Sequence, residues 1–150
     1  MIKIGIVGAT GYGGRELLRL LGGHPETELV AAASTSVAGS PLAKELPAFR
    51  KIFDLKFETF DAEALTKKCD VVFVGVPGKA SMAPVAALRE AGARVVDIGP
   101  DFRLQNTNDF KQYYGAEHTA SALLKESVYG LVPWYRDKLA NAEQIGRAHV

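Results

Sequence analysis

The stretch Ile2-Lys3-Ile4-Gly5-Ile6-Val7-Gly8-Ala9-Thr10-Gly11-Tyr12-Gly13-Gly14-Arg15-Glu16-Leu17-Leu18-Arg19-Leu20-Leu21 decides the fold. Ile2 to Val7 is a short run rich in β-branched residues that ends at Gly8, the pattern of a buried strand. From Tyr12 the period changes. Leu17, Leu18, Leu20 and Leu21 fall on one helical stripe, and Arg15, Glu16 and Arg19 are left for solvent. Gly22-Gly23 stops the helix and Pro25 prevents its resumption. Gly8 lets the chain turn sharply, Gly11 removes the side chain that would block a pyrophosphate, and Gly14 lets helix and strand pack closely. A helix starting at Tyr12 offers free backbone N–H groups to phosphates. Glycines also mark plain turns, but their place between a first strand and a first helix favours dinucleotide binding. The candidate cofactor-binding residues here are Gly8, Thr10, Gly11, Tyr12, Gly13 and Gly14.

Working outward, Glu28 to Ser34 is a second apolar run, and Asp70 to Val76 and Ala93 to Ile98 are two more. Lys56 to Phe60 alternates as an exposed strand does, and Asp61 can cap a short helix through Lys68. Pro77-Gly78 turns the chain into a helix from about Ser81 to Glu90, closed by Gly92. Strand, helix, strand, repeated with short turns, predicts an α/β fold: a doubly wound, mostly parallel, Rossmann-like sheet. Thr35 to Leu55 is less regular, and Asp109 to Leu139 reads as turns and short helices in an irregular C-terminal tail.

The loop after the second strand bears on which dinucleotide is held. A carboxylate there holds the ribose hydroxyls of NAD. This chain has Ser34-Thr35-Ser36 instead, and hydroxyls accept a 2′-phosphate without repelling it, so NADP (NADPH) is the expected cofactor.

Composition limits the partners. The chain has 150 residues, 18 Lys plus Arg against 17 Asp plus Glu, and one cysteine. A near-neutral balance gives no reason to expect a nucleic-acid or membrane partner. A single thiol excludes an internal disulfide and a cysteine-rich zinc site, and no signal peptide or membrane span is evident, so a cytoplasmic protein is expected.

The glycine loop with its helix, GATGYGGRELLRLL, resembles the opening of the N-acetyl-gamma-glutamyl-phosphate reductase family of the semialdehyde dehydrogenase superfamily. Further stretches resemble it in the same order: Ser34 to Gly39, Asp70 to Pro77, VVDIGPDFRL (95–104), YYGAEH (113–118) and Tyr129-Gly130-Leu131. The resemblance spans residues 1 to about 142. It implies an NADPH-dependent reduction of an acyl phosphate to an aldehyde in arginine biosynthesis, through a thioester on an active-site cysteine. The family's cysteine motif and its histidine are absent here, so both are expected downstream and the chain itself is expected to be inactive. Three positions depart from the family: Thr35 stands where many members have Arg, Val132-Pro133 replaces Pro-Glu, and Pro77-Gly78-Lys79 replaces Pro-His-Gly. Pro77 joins the cofactor-binding candidates, with Ser34, Thr35 and Ser36. The full-length protein is expected to be a homo-oligomer acting on a small acyl phosphate. A lysine-pathway homologue and a non-catalytic dinucleotide sensor are the alternatives.

Residues 1–143 are expected to form the NAD(P)-binding domain. Ile145 to Val150 resembles the translation of a sequencing adapter, so 144–150 is expected to be a non-native tail.

Cys69 precedes a strand, whereas chemistry in such sheets gathers at the carboxyl ends, so it reads as a packing residue. His24 and His118 have no partner at metal-ligand spacing, and no metal is expected. Arg103 follows a strand's carboxyl end, and its guanidinium suits bidentate phosphate recognition. The resemblance places the substrate phosphate on it. An ion pair with Asp97 or Asp101 is the plainer alternative.

Overall fold

The computed structural model describes residues 1–147. Six strands form one sheet: β1 (Ile2–Val7), β2 (Thr27–Ala33), β3 (Val71–Val74), β4 (Val95–Asp97), β5 (Val128–Tyr129) and β6 (Gln144–Gly146). Their spatial order is β2-β1-β3-β4-β6-β5, and every neighbouring pair is parallel. The helices that connect them are α1 (Tyr12–Leu21), α2 (Leu42–Glu45), α3 (Ala62–Lys68), α4 (Met82–Glu90), α5 (Thr107–Tyr114) and α6 (Val132–Ala140).

The pleat divides the apolar side chains between two layers. On one face Ile4, Ile6, Leu29 and Ala32 meet Leu18 of α1, Leu42 and Phe57. On the other, Val7, Val72, Val74 and Val95 meet Leu65 of α3, Val85 and Leu88 of α4, and Phe102. β1 is accordingly buried from Ile4 to Val7, as cover on both faces requires, while its Ile2 and Lys3 are exposed. β1 lies between β2 and β3, so the chain winds one way from β1 to β2 and the other way from β1 to β3. Ligands of such sheets bind in the crevice this reversal opens at the strands' carboxyl ends.

The expected caps form. Asp61 accepts from Ala64 N–H at 3.0 Å, and α1 ends on Gly22. Other details differ from the sequence reading. Leu20 is exposed, so the stripe of α1 narrows to Leu17, Leu18 and Leu21. Lys56 to Phe60 makes only isolated bridges, Ala33 with Glu58 and Pro41 with Lys56, and its Phe57 is buried rather than exposed. The tail after Gly99 is not irregular: α5, α6, β5 and β6 continue the parallel winding. β5 has two residues and β6 three, too few to show a period in sequence. Gln144 to Gly146, placed in the expected tail, form β6, and residues 148–150 of that tail lie outside the described residues.

Candidate cofactor site at the carboxyl ends of the strands

Each glycine of the first loop has its own reason. Gly8 has φ +83°, and a Cβ there would press on the Gly75 carbonyl, 2.9 Å from its carbon, so the turns after β1 and β3 touch backbone to backbone. A Cβ on Gly14 would run into the Gly8 oxygen and stand 2.5 Å from Ala9 Cα. Gly11 differs. It is extended (φ −70°, ψ 169°), and a Cβ there would meet Gly8 O at 3.4 Å and Gly75 O at 3.7 Å, ordinary contacts. The fold requires Gly8 and Gly14, while Gly11, which is exposed, could carry a Cβ without displacing its neighbours. The first helical bond of α1 runs from Arg15 N–H to Gly11 O at 2.9 Å. The N–H groups of Tyr12, Gly13 and Gly14 precede it, at the start of the helix where backbone donors lack an intrahelical acceptor. Tyr12 contributes backbone alone, since its side chain is exposed.

β2 delivers Ser34 to the side of this loop, where its N–H donates to Glu58 O at 2.9 Å. The Ser34 hydroxyl lies 3.3 Å from Thr10 Oγ1 and 3.3 Å from Ser36 Oγ. Thr10, Ser34 and Ser36 thus form one run of hydroxyls, while Thr35 is exposed beside it.

The turns after β3 and β4 are tied together by carboxylates. Asp101 accepts from Lys79 N–H at 2.7 Å and from Ser81 N–H at 3.1 Å. The Ser81 hydroxyl reaches Asp101 Oδ2 at 2.9 Å and Asp97 Oδ2 at 3.1 Å, and Gly99 N–H donates to Asp97 Oδ1 at 3.0 Å. Both carboxylates are fully buried. Burial pushes Asp97 up to about 6, against the hydrogen bonds from Gly99 and Ser81 and with help from the neighbouring Asp101 charge. Pro77 is exposed at the head of this clamped turn. The side chain of Ile98 stands over Gly13 and Gly75, since a Cβ on either would meet its Cδ1 at 2.9 or 2.8 Å. A groove of about 430 Å³ opens there, with Gly13, Gly75, Val76, Ile98 and Arg147 on its walls.

Arg103 does not pair with Asp97 or Asp101, whose oxygens serve the clamp. Its Nε donates to Arg147 O at 3.2 Å and its Nη1 to the Tyr114 hydroxyl at 3.4 Å. Among the described residues no carboxylate lies within ion-pair distance of it. It stands at the groove's edge through Arg147.

Cys69 lies at the opposite end of the sheet, packed on Gly5, where a Cβ would meet its Sγ at 2.8 Å. Burial pushes the thiol up to about 11, with the charges of Glu58 and Asp70 adding to this and Lys68 opposing it. His118 is buried between the edges of Phe102 and Phe110. Its Nδ1 accepts from Ala120 N–H at 3.3 Å and its Nε2 faces Asp101 O at 2.9 Å, which assigns the neutral Nε2–H tautomer. Burial lowers its pKa accordingly. Among the described residues no three His, Cys, Asp or Glu side chains converge as a metal ion would need. No helix among them is long and apolar enough to cross a membrane.

The candidate site also contains residues that sequence reasoning did not assign to it: Ser81, Asp97, Asp101 and Ile98. A polar signal existed for one of them, since Asp97 interrupts the apolar run Ala93 to Ile98 at the carboxyl end of a strand.

The pattern of the family described as "Semialdehyde dehydrogenase, NAD binding domain" matches residues 3–142. The chain is 47% identical over 148 residues to N-acetyl-gamma-glutamyl-phosphate reductase of Polynucleobacter asymbioticus, covering 99% of this chain and 42% of that protein. It is 46% identical over 146 residues to the protein of the same name in Herminiimonas arsenicoxydans, covering 97% and 42%. The chain thus spans about two fifths of the length of these relatives. Among solved structures, aspartate semialdehyde dehydrogenase with NADP from Candida albicans superposes with a TM-score of 0.63 at 23% identity, covering 79% of this chain and 40% of that one. Aspartate semialdehyde dehydrogenase II complexed with ASA from Vibrio cholerae gives 0.62 at 16% identity, covering 98% and 38%. These last two likenesses establish the fold. With its parallel sheet, its glycine loop at the switch point and the family pattern running from Lys3 to Ala142, the chain belongs to the semialdehyde dehydrogenases and comprises their NAD-binding domain.

Proposed function

We propose that this chain is the cofactor-binding part of an NADPH-dependent N-acetyl-gamma-glutamyl-phosphate reductase of arginine biosynthesis. The observation that carries this reading is its 44–47% identity, over nearly its whole length, to relatives of that name. The geometry fits a bound dinucleotide. The exposed Gly11, with the N–H groups of Tyr12, Gly13 and Gly14 at the start of α1, suits the pyrophosphate. Ser34, Thr35 and Ser36, with Thr10, supply hydroxyls for a 2′-phosphate, and Pro77 borders the nicotinamide side. When bound, the cofactor supplies the hydride.

The chain's own residues do the rest of the holding. The Asp101 and Asp97 clamp fixes the turns after β3 and β4 against each other, so the groove between Ile98 and Val76 keeps its width. Arg103, free of any carboxylate among the described residues, offers a guanidinium to the phosphate of the acyl-phosphate substrate. No nucleophile is proposed within this chain. Cys69 is on the wrong end of the sheet and held as a thiol, and His118 has both ring nitrogens engaged. The thioester-forming cysteine and the catalytic histidine belong to the remaining length that the relatives have and this chain does not.

The test is the phosphate-dependent oxidation of N-acetylglutamate semialdehyde, followed as NADPH formation. The 150-residue chain should bind NADPH and show no turnover, and the product of its full parent gene should turn over. Activity in the short chain that disappeared in Cys69→Ser would overturn the reading.

A further inference from the structure

Resting on the NADPH reading, we propose that Arg15, from the first turn of α1, is the side chain that selects the 2′-phosphate of the cofactor. The hydroxyl run Thr10, Ser34 and Ser36 is neutral, and hydroxyls alone discriminate weakly between a phosphate and a free ribose hydroxyl, because both can hydrogen-bond to them. Strong preference needs a fixed positive charge beside them.

Arg15 is placed to supply it. Its Nε donates to the carbonyl of Thr10 at 3.0 Å, and the hydroxyl of the same Thr10 touches Ser34. One residue therefore links the guanidinium to the hydroxyl run through its two ends. Nε is occupied, which fixes the plane of the group. Nη1 and Nη2 remain available for a bidentate grip on a phosphate.

The surrounding charges strengthen the assignment. Arg19, one turn further along α1, is taken by Glu16, with Nε at 2.9 Å from Oε2 and Nη2 at 2.6 Å from Oε1. Glu58, whose backbone pairs with Ser34, has its carboxylate on Lys68 at 2.8 Å. Both of these carboxylates are thus engaged by other cations. Arg15 has no carboxylate within ion-pair distance among the described residues. It is exposed and uncompensated, held by a single bond to a neutral carbonyl. The Arg19 ion pair also removes the group that would otherwise compete with Arg15 for an anion.

The experiment titrates the 150-residue chain, and its Arg15→Ala and Arg15→Lys variants, with 2′,5′-ADP and with 5′-ADP, and with NADPH and NADH. Circular dichroism checks the fold. In wild type the 2′-phosphorylated ligands should bind at least tenfold tighter. Arg15→Ala should weaken 2′,5′-ADP and NADPH by tenfold or more while leaving 5′-ADP and NADH within twofold. Arg15→Lys keeps the charge without the fork and should recover part of the loss. An equal loss for both kinds of ligand would assign Arg15 to the shape of the glycine loop and overturn the inference. So would no loss for either, or a wild-type preference for NADH, and both would leave dinucleotide binding intact. Wild type that bound no ligand at all would overturn the cofactor reading itself, and this inference with it.

Discussion

Gly14→Ala and Gly11→Val should separate what the fold needs from what the ligand needs. A Cβ at position 14 would lie 2.5 Å from Ala9 Cα and press on the Gly8 carbonyl. Both are backbone atoms in the first loop, so relief requires α1 to shift away from β1. Overpacking of this kind costs about 1–3 kcal/mol, and contact with backbone on two sides puts it at the upper end. Replacing glycine within a helix returns about 1 kcal/mol. The expected net loss is about 2 kcal/mol, or about 4–8 °C in Tm for a chain of this length. Gly11→Val meets no such obstacle, since its Cβ contacts begin at 3.4 Å and its extended backbone suits a β-branched residue. The loss of a good N-cap residue costs about 1 kcal/mol or less. Its isopropyl group would, however, occupy the space proposed for the pyrophosphate, so NADPH affinity should fall by about a hundredfold, or about 2.7 kcal/mol. Urea unfolding and NADPH fluorescence titration measure the two effects on the same samples. The reasoning fails if Gly14→Ala is as stable as wild type, or if Gly11→Val binds NADPH normally.

Folded Asp97 keeps its proton to about pH 6, whereas the ordinary carboxyl releases it near 3.8, so its contribution to stability should be full at the low end of that interval and be lost as pH rises across it. The loss is bounded at about 3 kcal/mol, and Asp97→Asn should flatten the profile in urea unfolding from pH 4 to 8. Cys69 should react with iodoacetamide at pH 8 more slowly than free cysteine, because burial holds it as a thiol, and Cys69→Ser should leave NADPH affinity unchanged. The side-chain amide of Gln144 is buried in β6, and neither its nitrogen nor its oxygen has a hydrogen-bond partner among the described residues. Gln144→Leu should therefore stabilise by about 1–3 kcal/mol in urea unfolding, and a destabilised variant would mean that the amide has a partner.

The parts of the molecule legible in its sequence were those where one local cause suffices. Ile4 to Val7 carries no polar side chain because that part of β1 is covered on both faces, and Gly8 and Gly14 occur where backbone passes against backbone. A strand of two or three residues carries no period, so β5 and β6 are held in place by neighbours rather than by their own pattern, and Val128 and Ile145 become a pair only once β4 is present. The same distinction runs through the candidate site. The glycine loop is contiguous, and its spacing announces it. The hydroxyl run joins Thr10 to Ser34 across 24 positions, and the clamp joins Ser81 to Asp97 and Asp101 across 16 and 20. Such groups become a site only when parallel winding brings the carboxyl ends of β1, β2, β3 and β4 to one edge.

Charge compensation is the least legible property of all. Arg15, Arg19 and Arg103 are equivalent letters in the sequence. In the fold Arg19 is bound by Glu16, while Arg15 and Arg103 rest on neutral carbonyl and hydroxyl oxygens. A guanidinium so held keeps its full charge available. One stands by the hydroxyl run after β2, the other by the groove after β4. A dinucleotide that brings a 2′-phosphate to the first, and a substrate that brings an acyl phosphate to the second, would each meet a cation without first breaking an ion pair.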